Sequence, residues 1–127
     1  KGFLARIFTI FAKYDISIDL VSVSEVSVSV SLDNDEYLDK AVNELKDLAM
    51  ITVTRELGMV SLIGEGIVEV KNILKNIFLI LDNARINVRM ISLGATDINI
   101  SLVLASESID KTVRLFHKEM VKERKNL

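Results

Sequence analysis

Apolar and polar residues alternate most regularly between Ile16 and Leu32, where the chain reads ISIDLVSVSEVSVSVSL. From Val26 onward valine alternates strictly with serine, which is the period of a β-strand with one buried face. Two carboxylates, Asp19 and Glu25, interrupt this region although acidic residues are depleted in strands. We expect them either at a strand end and in the turn between two strands, or facing a ligand that carries positive charge.

Two amphipathic helices flank these strands in the first half of the chain. Apolar residues recur at helical spacing over FLARIFTIFAKY, which ends near Asp15, and again from Leu38 to Leu48. The cluster Asp33-Asn34-Asp35 is typical of a turn and a helix cap. A further strand is predicted from Met50 to Leu57, and Gly58 is expected to break it.

The second half shows the same order of elements. A short strand is predicted from Met59 to Ile63, followed by a strongly apolar helix from Val70 to Leu81. Two further strands are predicted from Ile86 to Leu93 and from Ile98 to Leu104, around a turn at Gly94 to Asp97. Ser106 or Ser108 is expected to cap a last helix. The inner face of that helix is predicted to carry Ile109, Val113, Phe116 and Met120.

The two halves align as copies of one unit. ISIDLVS at Ile16–Ser22 aligns with INVRMIS at Ile86–Ser92, and EVSVSV at Glu25–Val30 aligns with DINISL at Asp97–Leu102. Each half resembles the βαββαβ plan. The sequence therefore predicts an α+β fold of two ferredoxin-like domains, residues 1–57 and 58–127, each an antiparallel sheet with two helices on one face.

Each predicted sheet is one strand short. No strand precedes the first helix, and nothing strand-like follows the last helix. We expect the opening strand of the first domain to lie before Lys1, in a longer parent protein. The absent edge strands are expected from that parent chain or from pairing across a dimer, since exposed sheet edges tend to pair.

Composition excludes several classes of function. The 127 residues are half hydrophobic and carry a net charge of −2, which argues against a nucleic-acid-binding domain with its usual basic stripe. The absence of cysteine excludes a disulfide framework, a thiol nucleophile and a cysteine metal site. No apolar run reaches the roughly 18 residues of a membrane span. We expect neither a nucleic acid nor a membrane as partner.

No constellation of residues indicates catalysis. His117 is the only histidine and lies among charged residues, so a surface position is expected. The G-E-G sequence at Gly64–Gly66 is too short for a Walker or Rossmann phosphate loop. Asp33 and Asp35 fit a solvated turn better than a catalytic pair. We predict no catalytic and no metal-binding residue in this chain.

Binding of a small zwitterion remains as a candidate function. A helix N-terminus offers free N–H groups and the positive end of its dipole, which suit an α-carboxylate. Acceptor groups on the first strand pair suit ammonium groups. The helix start is formed by Gly2, Phe3 and Leu4, and the acceptors are Asp19, Ser24 and Glu25. Taken alone, Gly2 is better explained by a tight turn into the helix.

These residues carry a family resemblance. GFLARIF (Gly2–Phe8) and SIDLVSVSEVSVSVSLD (Ser17–Asp33) resemble the first ACT domain of aspartokinases, especially of the lysine-sensitive class. INVRMISLGATDINISLVL (Ile86–Leu104) is similar to their second ACT domain. The resemblance covers essentially the whole chain and implies the C-terminal regulatory region of a cytoplasmic aspartate kinase. The parent enzyme would phosphorylate aspartate with ATP and Mg through an upstream kinase domain, whereas this region needs no cofactor.

The resemblance also implies an effector site for feedback inhibition of amino-acid biosynthesis, placed where the first ACT domains of a homodimer meet. Its residues would be Gly2, Phe3, Leu4, Ile18, Asp19, Ser24 and Glu25. Two carboxylates fit L-lysine better than threonine, whose side chain is uncharged. In the second repeat Arg89 replaces Asp19 and Asn99 replaces Ser27, so a lysine site is not expected there.

Three alternatives remain open from the sequence. The region could sense another amino acid, such as threonine or a branched-chain residue, or could serve only for dimerisation. A ferredoxin-like RNA-binding domain is disfavoured, because such domains stack bases on exposed sheet aromatics and these strands carry serine and valine.

Overall fold

The computed structural model describes residues 2–64, 70–94 and 98–125, which fall into two compact units, Lys1–Val53 and Thr54–Leu127. The first unit contains α1 (Phe3–Lys13), β1 (Ile18–Val23), β2 (Val28–Leu32) and α2 (Leu38–Leu45). The second contains β3 (Leu57–Gly64), α3 (Val70–Asn83), β4 (Met90–Leu93), β5 (Ile98–Ala105), a 3-10 turn (Ser106–Ser108) and α4 (Ile109–Lys125). The domain boundary between residues 57 and 58 stays a prediction.

The first unit packs two helices against one face of an antiparallel strand pair. Its buried residues come from α1, from α2 and from the segment that enters β1: Ile7, Phe11, Ile16, Ala41 and Leu45. The inward side chains of the strands close this core: Ile18, Val28, Val30 and Leu32. They are only half buried, because β1 and β2 form a sheet of two strands among the described residues.

The second unit contains the larger core. Its sheet has the order β3-β5-β4, all antiparallel, so β5 is paired on both edges. On β5, Leu102 and Leu104 are fully buried and pack with Ile77 of α3 and Phe116 of α4. Both units therefore have the predicted plan of an antiparallel sheet with two helices on one face.

The internal repeat predicted from the sequence is confirmed where the first helix of each unit ends. Asp15 after α1 and Arg85 after α3 both take left-handed backbone conformations, with φ of 55° and 58°. The next residue folds back in both units: Ile16 N–H donates to the Phe11 carbonyl and Ile86 N–H to the Leu81 carbonyl, each at 2.9 Å. A C-terminal left-handed residue is a common way to end a helix.

The strand pairs repeat the same register. Val23 pairs with Val28 beside the first turn, and Leu93 pairs with Ile100 beside the second. The turns close through Ser24 N–H to Ser27 O at 2.8 Å and Gly94 N–H to Asn99 O at 2.7 Å. The alignment of the halves, including Asn99 at the position of Ser27, is therefore confirmed. Residues 95–97, which include Asp97, lie outside the described part of the chain.

The strand predicted from Met50 to Leu57 is wrong. Residues 50–56 have no regular secondary structure, and Gly58 does not break a strand but lies within β3, paired with Leu104. Alternating side chains form a strand only where a neighbouring strand supplies hydrogen bonds, and none of the described strands pairs with this segment. A Cβ on Gly58 would lie 2.8 Å from Ile109 Cγ1 of α4, which explains a glycine in this strand.

Three smaller expectations also need correction. The cap of α2 is Tyr37, with a φ of 65°, and not a residue of the Asp33-Asn34-Asp35 cluster. The turn predicted for that cluster is present, and the Asn34 side chain accepts the Glu36 N–H there at 3.1 Å. The strand expected from Ile86 begins only at Met90. On α4, Val113 is half exposed and Thr112 is buried in its place, with its hydroxyl bonded to the Ser108 carbonyl at 2.7 Å.

Candidate functional site

The start of α1 is shaped by Gly2. This residue is the N-cap, and its φ of 73° lies in the left-handed region that glycine adopts without steric cost. The first helical bond runs from Arg6 N–H to the Gly2 carbonyl at 3.0 Å. Helix geometry leaves the N–H groups before that of Arg6 without acceptors inside the helix. The first turn of α1 contains no acidic side chain. Phe3 and Leu4 are each 38% exposed, so this helix end can accept a carboxylate.

Asp19 lies at an irregular position in β1. The register passes from Ile18↔Leu32 to Leu20↔Ser31, so Asp19 is the extra residue of a β-bulge. Its side chain is exposed, whereas Ile18 packs against the core and can offer a ligand only its backbone. Bulges often redirect a side chain beside a functional site. This placement agrees with an Asp19 carboxylate that faces a ligand.

The bulge also changes which side chains of β1 face inward. Val30 and Leu32 lie on one face of β2, so their partners Val21 and Ile18 share that face. In a strand without a bulge, Ile18 and Val21 would point to opposite faces because they are three residues apart. Val21 and Val23 therefore lie on the helix side of the sheet, yet they remain 45% and 54% exposed.

Ser24 and Glu25 lie in the turn between β1 and β2. The Ser24 hydroxyl accepts the Ser27 N–H at 3.1 Å and is 2.9 Å from the Ser27 hydroxyl, so it holds the turn together. Glu25 and Val26 project from the tip, where Val26 is 94% exposed. Both the turn role and the ligand role considered for Glu25 remain compatible with this position.

One chain does not bring all of these residues together. Asp19 and Ser24 are five positions apart along nearly extended backbone, or about 16 Å. In one copy of the chain, Asp19 and the turn residues Ser24 and Glu25 therefore lie at opposite ends of β1. An extended lysine side chain spans only about 6 Å from Cα to Nζ.

Two surface grooves lie elsewhere. One of about 580 Å³ runs along α3 and is lined by Phe78, Leu79 and Val88 among others. The other, of about 430 Å³, lies between α1 and α2 beside Arg6 and Glu44. Neither is lined by the predicted effector residues. The described residues contain no group of three or more His, Cys, Asp or Glu side chains arranged for a metal ion.

The end of α1 is joined to α2 by a polar cluster that sequence reasoning missed. Glu44 Oε1 accepts hydrogen bonds from Lys13 Nζ at 2.5 Å and from the Tyr14 hydroxyl at 2.6 Å. The Lys13 bond and then the Tyr14 bond lower the pKa of Glu44, and the bond to Glu44 raises the pKa of Lys13. Lys13 and Glu44 are 31 positions apart in the sequence, so no local pattern indicates this contact.

Comparison with known proteins identifies the chain. Residues 60–120 match the ACT domain family. The aspartokinase of Saccharomyces cerevisiae is 38% identical over 130 residues, which cover 98% of this chain and 25% of the yeast protein. The chain belongs to the ACT-containing regulatory regions of aspartokinases. It spans about a quarter of the length of the curated aspartokinases that it matches.

Solved structures of aspartokinases agree with this assignment. A chain described as a C-terminal regulatory domain of aspartate kinase from Porphyromonas gingivalis W83 is 29% identical, with a TM-score of 0.78 over 93% of this chain and 79% of that chain. Escherichia coli aspartokinase III, solved in complex with lysine and aspartate, is 34% identical, with a TM-score of 0.75 over 93% of this chain and 27% of that protein. No helix in the described part of the chain is long and apolar enough to cross a membrane.

Proposed function

We propose that this aspartokinase regulatory region binds L-lysine through its first unit and transmits feedback inhibition to a kinase domain. The observation that carries the proposal is the exposed Asp19 at the bulge of β1. The second repeat keeps the same register and has Arg89 at this position, so the fold does not require a carboxylate there. A side chain that the architecture does not need is the best candidate for a ligand contact.

The remaining residues suit the other end of the same ligand. The N–H groups at Gly2, Phe3 and Leu4 and the positive end of the α1 dipole favour an α-carboxylate. Asp19 and Glu25 favour the two amino groups of lysine. The related Escherichia coli aspartokinase III was solved with lysine, which supports the same ligand class for this chain.

We also propose that the site is completed by a second copy of the first unit. Asp19 and the turn residues lie at opposite ends of β1, about 16 Å apart, so a second copy in antiparallel alignment would bring its turn residues close to Asp19. β1 pairs only with β2 among the described residues, and its half-exposed Val21 and Val23 offer apolar area to a partner. A homodimer through this edge would bury that area and place Glu25 of one copy toward Asp19 of the other.

The activity proposed for the parent protein is ATP- and Mg-dependent phosphorylation of the side-chain carboxylate of L-aspartate in the cytoplasm. This chain would bias the kinase because lysine binds one conformation of the protein more tightly than the other. Its own residues would take no part in the phosphoryl transfer. Sensing of threonine or a branched-chain amino acid, and dimerisation without a ligand, are the competing functions.

Calorimetric titration of the full-length protein with L-lysine tests the proposal, with melting temperature and sedimentation as parallel measurements. Lysine is expected to bind, raise the melting temperature and favour a dimer. Asp19→Asn should weaken binding at least tenfold, since it removes the charge that pairs with an ammonium group. Asp33→Asn, at an exposed turn position, is the matched control and should bind normally.

Three outcomes would contradict parts of this assignment. No binding at millimolar lysine would refute the lysine site. A response to threonine or to a branched-chain amino acid alone would reassign the ligand. A stable dimer that responds to none of these amino acids would leave dimerisation as the function.

A further inference from the structure

Ser31 on β2 lies opposite the bulge that carries Asp19. Its hydroxyl oxygen accepts a hydrogen bond from the Leu20 N–H at 3.0 Å, and both residues are half buried. Leu20 follows Asp19 directly in the chain. The bond therefore ties the peptide group on the C-terminal side of Asp19 to the neighbouring strand.

The second repeat lacks this bond. Val103 occupies the position of Ser31, since it pairs with Met90 as Ser31 pairs with Leu20. Valine has no hydroxyl, so residue 103 offers no side-chain acceptor to the Met90 N–H, which stands at the position of the Leu20 N–H. The two repeats thus share their strand register, while the side-chain acceptor occurs only in the repeat with a carboxylate at the bulge.

We propose that Ser31 is a positioning residue that holds the Asp19 carboxylate in the orientation required for amino-acid recognition. This inference rests on the proposed function of the first unit and adds to it a residue that does not itself contact the ligand. The Ser31 hydroxyl satisfies the Leu20 N–H and restricts the backbone at the bulge before a ligand arrives. A pre-organised site binds more tightly because less conformational entropy is lost on binding.

Ser31 variants of the full-length protein, titrated calorimetrically with L-lysine, test this role. Ser31→Ala should weaken lysine binding by about five- to tenfold, as expected for the loss of one hydrogen bond. Ser31→Thr retains a hydroxyl and should bind within about twofold of the unmutated protein. Ser29→Ala is the matched control, because Ser29 lies on the same strand, is exposed and pairs with Ser22 away from the bulge; its affinity should not change.

A double-mutant cycle separates positioning from general stability. If Ser31 acts through Asp19, then Ser31→Ala should cost little further affinity in an Asp19→Asn background. Hydrogen exchange of the Leu20 amide should become faster in Ser31→Ala, while the melting temperature without lysine changes by only a few degrees. A purely structural role would lower the melting temperature and give additive losses of affinity.

The outcomes distinguish this inference from the proposed function. If the unmutated protein binds lysine and Ser31→Ala binds equally well, or if the losses are additive, the positioning role is refuted and the lysine site stands. If the unmutated protein binds no amino acid, the proposed function fails and the positioning role fails with it.

Discussion

The two units share a plan but differ in how much of their sheets is buried. In the second unit β5 is paired on both edges, and its inward residues Leu102 and Leu104 are fully buried. In the first unit no strand residue among those described reaches that degree of burial, and Val21 and Val23 stay half exposed. The repeat that carries the candidate ligand residues is therefore the one whose described strand residues are less deeply buried.

The largest expected difference between the two units is the loss of unfolding free energy when a core residue is truncated. Leu102→Ala should lower the free energy of unfolding by about 3 to 5 kcal/mol, because it leaves a cavity beneath a strand paired on both sides. Val30→Ala, at a half-buried position in β2, should cost only about 1 kcal/mol. Denaturant unfolding followed by circular dichroism measures both values. Equal losses would show that the first core is as tightly packed as the second.

A smaller loss of stability is expected in the second unit where α4 approaches β3 at Gly58. Gly58→Ala would place its Cβ about 2.8 Å from Ile109 Cγ1, too close for an undisturbed contact. Overpacking of this kind costs about 1 to 3 kcal/mol. If the two residues are in contact, Gly58→Ala should cost less free energy of unfolding in an Ile109→Ala background than in the unmutated protein. Strictly additive losses in denaturant unfolding would argue against the contact.

The smallest expected effect on stability concerns the polar cluster of Lys13, Tyr14 and Glu44 in the first unit. The repeat places Asn83 and Ala84 where Lys13 and Tyr14 stand, so α3 cannot form the same contacts. The hydrogen bond from Lys13 lowers the pKa of Glu44 below its ordinary value of 4.5. The ionised Glu44 therefore contributes to stability fully above pH 4.5, and this contribution is lost as the pH falls through the lower pKa of the folded state.

Glu44→Gln tests this contribution through the melting temperature as a function of pH. The variant should be slightly less stable than the unmutated protein near neutral pH, and the difference should shrink as the solution is acidified below pH 4.5. Asp47→Asn, one turn further along the chain, is the control and should leave this pH dependence unchanged. A difference that grows on acidification would contradict the assigned contacts.

The sequence predicted the helices and the repeat because both depend on local periodicity. The helices α1 and α3 end where their apolar spacing ends, and the alignment of Ile16 with Ile86 is reproduced by identical backbone bonds. The strand at Met50–Leu57 was wrong because a strand depends on a partner that local alternation does not reveal. Elements held by distant contacts are the ones that a single sequence predicts least well.

The sequence suggested the residues of the candidate site, which stay a prediction, but it did not reveal their geometry. Consecutive apolar residues at Leu20 and Val21 mark the change of phase that the bulge produces, so the bulge has a local signal in the sequence. The hydrogen bond from Leu20 to Ser31 left no such signal, since Ser31 belongs to a regular valine-serine alternation. A side-chain acceptor of this kind becomes visible only once the strand register is known.

The exposed valines of β1 have a consequence for the solubility of the protein. An apolar strand edge attracts other strand edges and can start aggregation. Val21 and Val23 lie between two carboxylates, Asp19 before them and Glu25 after them. Charges that flank an apolar strand act as gatekeepers, because stacking identical edges brings like charges together. The two acidic residues that are proposed to recognise lysine would thus also protect this edge while no ligand or partner covers it.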